Sequence, residues 1–205
     1  MRKTKFVILT AYYILLAIAL VIFNTLNDIG LLAYWLLTAA MPLLPMIVTK
    51  ITKWKFNDLI ISFYNLFVLF SMILGSIFNF YRFLGYDKFL HTLSGILISA
   101  SVFMLYCYLK GSISIKDKNE LSITVLFTLG VNEFIAFLWE CFEFILLVFF
   151  DNDAIHHYDQ GVYDTMNDMI VCFIGAIMTI IFIYHFYKTK KENLLIKATR
   201  DLIDK

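Results

Sequence analysis

The sequence predicts an all-α, polytopic integral-membrane helix bundle. Three observations carry that prediction. Of 205 residues, 61% are hydrophobic and only 16% charged, whereas a soluble domain has roughly 45–50% and about 25%. The excess lies in long runs rather than alternating patterns, which marks helical spans and not barrel strands of about 9–11 residues. The basic residues cluster on one side of those runs. With two prolines and eight glycines, connections are short and a single membrane domain is expected.

Six runs are expected to cross, at about residues 6–26, 29–48, 57–79, 89–109, 121–150 and 165–187; each reaches the roughly 20 residues a spanning helix needs. The basic start and the triplet Ala17-Ile18-Ala19 resemble a signal peptide. The run continues to Phe23, however, beyond a signal core of about 7–15 residues, so it is read as a retained first helix. Pro42 and Pro45 mark a helix end or kink in the second run. Ser71, Gly75 and Ser76 on the third run, with Ser94 and Gly95 on the fourth, permit close helix approach. The fifth run would extend roughly 45 Å as a helix, so tilt, kinking or protrusion is expected, with Gly130 as an irregular point.

Fifteen of the 17 basic residues fall before the first run, between the second and third, between the fourth and fifth, or after the sixth. Only Arg82 and Lys88 lie on the opposite side. That asymmetry predicts six crossings with both termini cytoplasmic. Trp54 is expected to anchor at the interface, and the basic tail, 188–205, to lie along the anionic inner leaflet. No basic face remains for nucleic acid. Cys107, Cys141 and Cys172 lie in different runs without CxxC spacing, as small buried hydrophobes do.

Seven residues stand out against this apolar background: Asp87, His91, Glu133, Glu140, Glu143, Asp164 and Asp168. An ionised side chain facing lipid costs roughly 2.5–3.5 kcal/mol on insertion scales, so such groups face one another, a cavity or a cation. Asp87 and His91 are four residues apart, as are Asp164 and Asp168, and Glu140 and Glu143 are three apart. Each pair therefore shares a helix face. The predicted topology brings all three pairs to similar depths in the outer half of the membrane, with Glu133 deeper. Such a patch needs compensation from a divalent metal, Lys88, Arg82 or shared protons. Asp87 and Asp164 also suit helix N-termini. The loop holding Asp151, Asp153, His156, His157 and Asp159 reads as a solvated acidic loop that draws cations toward the site.

The segments Tyr86-Asp87-Lys88-Phe89-Leu90-His91, Trp139-Glu140-Cys141-Phe142-Glu143 and Gly161-Val162-Tyr163-Asp164-Thr165-Met166-Asn167-Asp168, with Gly175 after them, resemble the YjdF-like family of bacterial predicted membrane proteins. More distantly they are similar to a VanZ-like pattern. The resemblance covers roughly residues 57–187 and points to Asp87, His91, Glu140, Glu143, Asp164 and Asp168. It implies a bacterial inner membrane and, through the VanZ-like pattern, a role in the envelope or in glycopeptide tolerance. The chain has Glu143 and Asp168 where the VanZ-like pattern usually has Gln and Asn.

Three functions follow from these residues. The first is a metal-dependent hydrolase or modifier of a lipid or envelope substrate. His91, Asp87, Glu143 and Asp168 would hold Zn, Mg or Mn, and Glu140 and Asp164 would serve in acid–base catalysis. The second is non-enzymatic binding or transport of a cation, proton or lipid. The third is structural, the acids tying the bundle together through Lys88, Tyr163 and Asn167.

Overall fold

The computed structural model describes residues 2–23, 29–53, 56, 58–154 and 156–203. These residues are almost entirely helical, with no strand among them. The helices are α1 (Arg2–Phe23), α2 (Ile29–Ala40), α3 (Leu44–Thr52), α4 (Asp58–Val68), α5 (Tyr86–Lys110), α6 (Lys118–Phe150), α7 (Val162–Thr189) and α8 (Leu194–Ile203). Among the described residues, five stretches are long and apolar enough to cross a membrane: Thr4–Val21, Tyr34–Thr52, Asp58–Ile77, Tyr86–Lys110 and Val162–Thr189. The fifth predicted run is helical throughout as part of α6. Trp54 and residues 24–26 and 57 of the predicted spans lie outside the described residues. By its contacts the chain forms two units, Met1–Tyr86 and Asp87–Asp204.

In the first unit, Tyr12, Leu16 and Ala19 of α1 pack with Trp35 of α2, Val68 of α4 and Leu69 and Ile73 beyond it. The two prolines interrupt the second predicted span with a 3-10 turn, Met41–Leu43, after which the helix resumes. Proline has no N–H to give the carbonyl four residues earlier. Pro42 therefore gives no bond to the Thr38 carbonyl, and Pro45 none to that of Met41, which accepts from the Leu44 N–H instead. Tyrosines from other helices donate to both carbonyls. The Tyr12 hydroxyl donates to the Thr38 oxygen at 2.5 Å and the Tyr64 hydroxyl to the Met41 oxygen at 3.0 Å. In a lipid environment an unsatisfied carbonyl has no water to fall back on, so these bonds make the interruption tolerable.

The third predicted span departs from α-geometry at Leu69–Ile77, which is a π-helix. Such a stretch leaves backbone groups off the i→i−4 ladder, and the Tyr86 hydroxyl donates to the Phe70 oxygen at 2.8 Å. Gly75 is buried here because an added Cβ would lie 2.6 Å from the Tyr81 ring. The irregularity expected at Gly130 is absent: α6 runs unbroken through it, and Gly130 is exposed.

In the second unit α5, α6 and α7 run down, up and down. The turn after α5 uses Gly111 at φ 70°, with the Ser112 N–H bonded to the Cys107 oxygen. Asp117 then caps α6 through the Glu120 N–H. Phe103, Cys107, Ile115, Ile183 and Phe186 form a core at this end, and Ile196 of α8 completes it. Its neighbours Ala198, Thr199 and Leu202 are buried as well. The apolar face of the tail is thus covered by protein rather than free for the leaflet, because the α5–α7 core presents a partner that sequence alone does not reveal. Lys197 and Arg200 stay exposed.

Tyr12→Phe removes only a hydroxyl but leaves the Thr38 carbonyl unsatisfied, at a cost of about 1–3 kcal/mol. Its melting temperature in detergent is expected to fall below that of wild type, whereas Tyr13→Phe, at an exposed position with a 3.2 Å bond to the Ala39 oxygen, is expected to change it little.

Candidate functional site

The site is built on a close crossing of α5 and α7. A Cβ placed on Gly95 would lie 2.1 Å from the Cys172 oxygen, and one on Gly175 would lie 2.2 Å from the Thr92 oxygen. Only glycine at both positions lets the two backbones touch. The Thr179 hydroxyl reaches across the same interface to the Ile96 oxygen at 3.3 Å. The two helices run parallel, so the register carries upward from the crossing. Two turns toward the N-terminus from Gly95 is Lys88, and two turns from Gly175 is Asp168.

That register sets Lys88 among three aspartates. Its Nζ donates to Asp164 Oδ1 at 2.5 Å, Asp168 Oδ2 at 2.9 Å and Asp87 Oδ2 at 3.1 Å. Asp164 and Asp168 are 2% exposed at the side chain, so this is a buried ionic cluster. His91, one turn below Asp87, has Nε2 3.6 Å from Asp87 Oδ1 and 3.8 Å from Asp168 Oδ1. Ligand atoms of Asp87, His91 and Asp168 all lie within 4.8 Å of one another.

α6 packs antiparallel to α7. The Asn132 amide donates to Cys172 Sγ at 3.5 Å. Two turns along α6, Glu140 meets Thr165 and lies within electrostatic range of Asp164, Asp87 and Lys88. Glu140 is 5% exposed and its Oε2 has no hydrogen-bond partner. Glu143 accepts from the Trp139 indole at 2.8 Å, within range of Glu140, Asp87 and Asp168.

Six of the seven residues singled out by sequence therefore come together in one unit. Glu133 sits apart: its carboxylate accepts from the Asn132 amide at 2.9 Å, with Cys172 as its neighbour. Lys88, only one of several candidate counter-charges on sequence grounds, is the hub. The adjacent Asp87 and the two acids four residues apart were the available signal. Arg82, the other cation considered, lies over the Phe83 ring at 4.9 Å. Tyr163 and Asn167, the other proposed ties, are exposed. In the acidic loop, Asp153 accepts from the backbone of His157 and Tyr158, at 2.7 and 3.1 Å, and so builds the turn.

One ammonium does not balance three aspartates, still less the two nearby glutamates. Burial penalises uncompensated charge, so protons or a further cation must make up the difference. Asp87 Oδ1, His91 Nε2 and Asp168 Oδ1 form an oxygen–nitrogen triangle of the kind divalent ions accept. Asp168 Oδ1 is buried and accepts no hydrogen bond. The Lys88 ammonium nevertheless lies 2.8 Å from it. An ion on this face must therefore displace Lys88 from Asp168 or share the carboxylate with it.

A helical chain with several membrane-length apolar helices and a buried ionic cluster is a multi-pass membrane protein. The family model described as predicted membrane protein (DUF2238) matches residues 6–189, and the chain belongs to that family. The YjdF-like resemblance agrees with this membership, and the family description carries nothing VanZ-like. No curated protein and no solved structure matches the chain.

Two substitutions test the construction of the site. Lys88→Met strands two buried aspartates, and breaking a buried ion pair costs about 3–5 kcal/mol. Its melting temperature is expected to drop sharply and to recover in part when Asp164→Asn and Asp168→Asn are added. Gly175→Val forces α5 and α7 apart, and overpacking costs about 1–3 kcal/mol. It is expected to lower the melting temperature, whereas Gly130→Ala, with nothing within 4 Å of its added Cβ, is expected to be tolerated.

Proposed function

We propose that this protein is a bacterial inner-membrane protein that binds a divalent metal and uses it to hydrolyse or modify a lipid or envelope substrate. The observation that carries this reading is the Asp87–His91–Asp168 triangle, whose ligand atoms all lie within 4.8 Å of one another. Zn, Mg or Mn suits such a ligand set. Bound there, the ion would polarise an ester or phosphoryl oxygen. Glu140, buried with a free Oε2, is the general base. Asp164 would hold the Lys88 ammonium beside an anionic substrate group were an ion to take the Asp168 carboxylate. Glu143, bonded to the Trp139 indole, would be a fourth ligand.

In this reading α6 is a sixth crossing and both termini are cytoplasmic. The placement of 15 of the 17 basic residues supports that orientation. The site then lies in the outer half of the bilayer, within reach of outer-leaflet headgroups and envelope precursors.

A second reading is favoured by Lys88 itself. Its ammonium already neutralises part of the carboxylate charge, so protons or a cation would balance the remainder without hydrolysis.

Metal analysis of the purified protein separates the two. About one divalent ion per chain is expected after equilibration with Zn, Mn or Mg followed by dialysis. His91→Ala and Asp168→Asn are expected to lose it, and Glu133→Gln to retain it. Protein that binds none of the three ions overturns the metal-dependent reading and leaves the second.

A further inference from the structure

Four of the five buried residues of α6 are polar. Its buried residues are Thr124, Thr128, Asn132, Ala136 and Glu140, at intervals of one turn. A helix facing other helices in lipid ordinarily presents apolar or small residues there. The series runs from Glu120, which accepts from Lys110 at 2.5 Å, to Glu140 in the acid cluster. Twenty residues of helix span about 30 Å, the thickness of the hydrocarbon core.

Several of these groups lack partners. Thr128 Oγ1, Asn132 Oδ1 and Glu140 Oε2 are buried without a hydrogen bond. Thr128 is distinctive, since Thr92, Thr124 and Thr199 all donate to the carbonyl one turn back. Thr128 and Asn132 are 0% exposed, and buried polar groups of this kind are normally satisfied by ordered water. The spacing suits water. Four residues of helix advance about 6 Å, too far for a direct hydrogen bond of about 2.7–3.2 Å but close to the span of two bonds through one bridging molecule. Past Ala136, from Asn132 to Glu140, the advance is about 12 Å and takes more than one such molecule.

The opposite wall carries small side chains. From the Asn132–Cys172 contact, the antiparallel register sets Ala136 across from Asp168 and Thr128 across from Ala176. Small side chains thus face the polar groups on both sides of the contact. Glu133, held by the Asn132 amide at 2.9 Å, adds a carboxylate at the midpoint.

We propose that this stripe is a hydrated path that carries protons between the Lys110–Glu120 end of the bundle and the acid cluster. Thr128 and Asn132 position waters, and the Glu133 and Glu140 carboxyl groups take up and release protons. Each step breaks one O–H bond and forms another on the next oxygen. Charge moves as a proton, and no electron is transferred. The path does not depend on a metal at Asp87, His91 and Asp168.

The test uses the full chain reconstituted in liposomes that hold a pH-sensitive dye, with a potassium diffusion potential driving protons inward. Wild type is expected to acidify the lumen several-fold faster than protein-free vesicles. Thr128→Val, which keeps the shape but removes the hydroxyl, is expected to slow this strongly, and adding Asn132→Leu to bring it to background. Thr128→Ser is expected to retain it. Gel-filtration profile and divalent-ion content are measured on every variant, so loss of fold or of the metal site is distinguished from loss of the path. If the double variant does not fold, the comparison of Thr128→Val with Thr128→Ser decides. Wild-type flux equal to that of empty vesicles, or flux unchanged in Thr128→Val, overturns the proposal.

Discussion

The backbone contact between α5 and α7 governs the second unit. Where Gly95 meets Cys172 and Gly175 meets Thr92, the helices approach as closely as main chains can. Two turns away, that closeness brings the Lys88 ammonium within hydrogen-bonding distance of Asp164 and Asp168. The cluster is tolerable in apolar surroundings only because its charges are paired so tightly. A wider crossing would leave two buried carboxylates without their cation. The glycines and the ionic cluster are therefore one device, although no glycine touches a charged group.

The same demand, that no polar group be left unsatisfied away from water, shapes the first unit by other means. Pro42 and Pro45 each remove one helical donor, and tyrosine hydroxyls from α1 and α4 donate to the carbonyls concerned. The π-helical stretch Leu69–Ile77 receives similar help from Tyr86. Irregular backbone persists where a side chain from elsewhere completes it. Against this standard the unpartnered side-chain atoms of Asn65 on α4 and of Thr128, Asn132 and Glu140 on α6 stand out. Those of α6 lie on its buried face, along the proposed path.

Much of the site was legible beforehand. Acid and histidine pairs at three- and four-residue spacing can only share a helix face, so Asp87 with His91 and Asp164 with Asp168 were readable as units. Their meeting with Glu140 and Glu143 followed from the order of the runs. Whether Glu133 joins them was not legible, because depth along a helix does not reveal which way a side chain turns. The tail was expected on the leaflet because amphipathicity shows that a face needs covering without showing what covers it; Ile196 finds Phe103 and Ile183 instead. Gly130 looked like a breaking point because glycine weakens a helix, but thirty-three consecutive residues of α6 hold it in line.

The sequence by itself determined an all-helical membrane protein, the extent of its long apolar runs and the roster of residues too polar to face lipid. Those properties depend on composition and on spacing along one helix, which are local. Only the tertiary structure decided that Lys88 is the hub, that Tyr12 and Tyr64 mend the proline breaks, and that the polar stripe of α6 lacks partners. Each depends on what a neighbouring helix presents at a given height. In runs saturated with leucine, isoleucine and phenylalanine, periodicity carries no information about which face meets which neighbour.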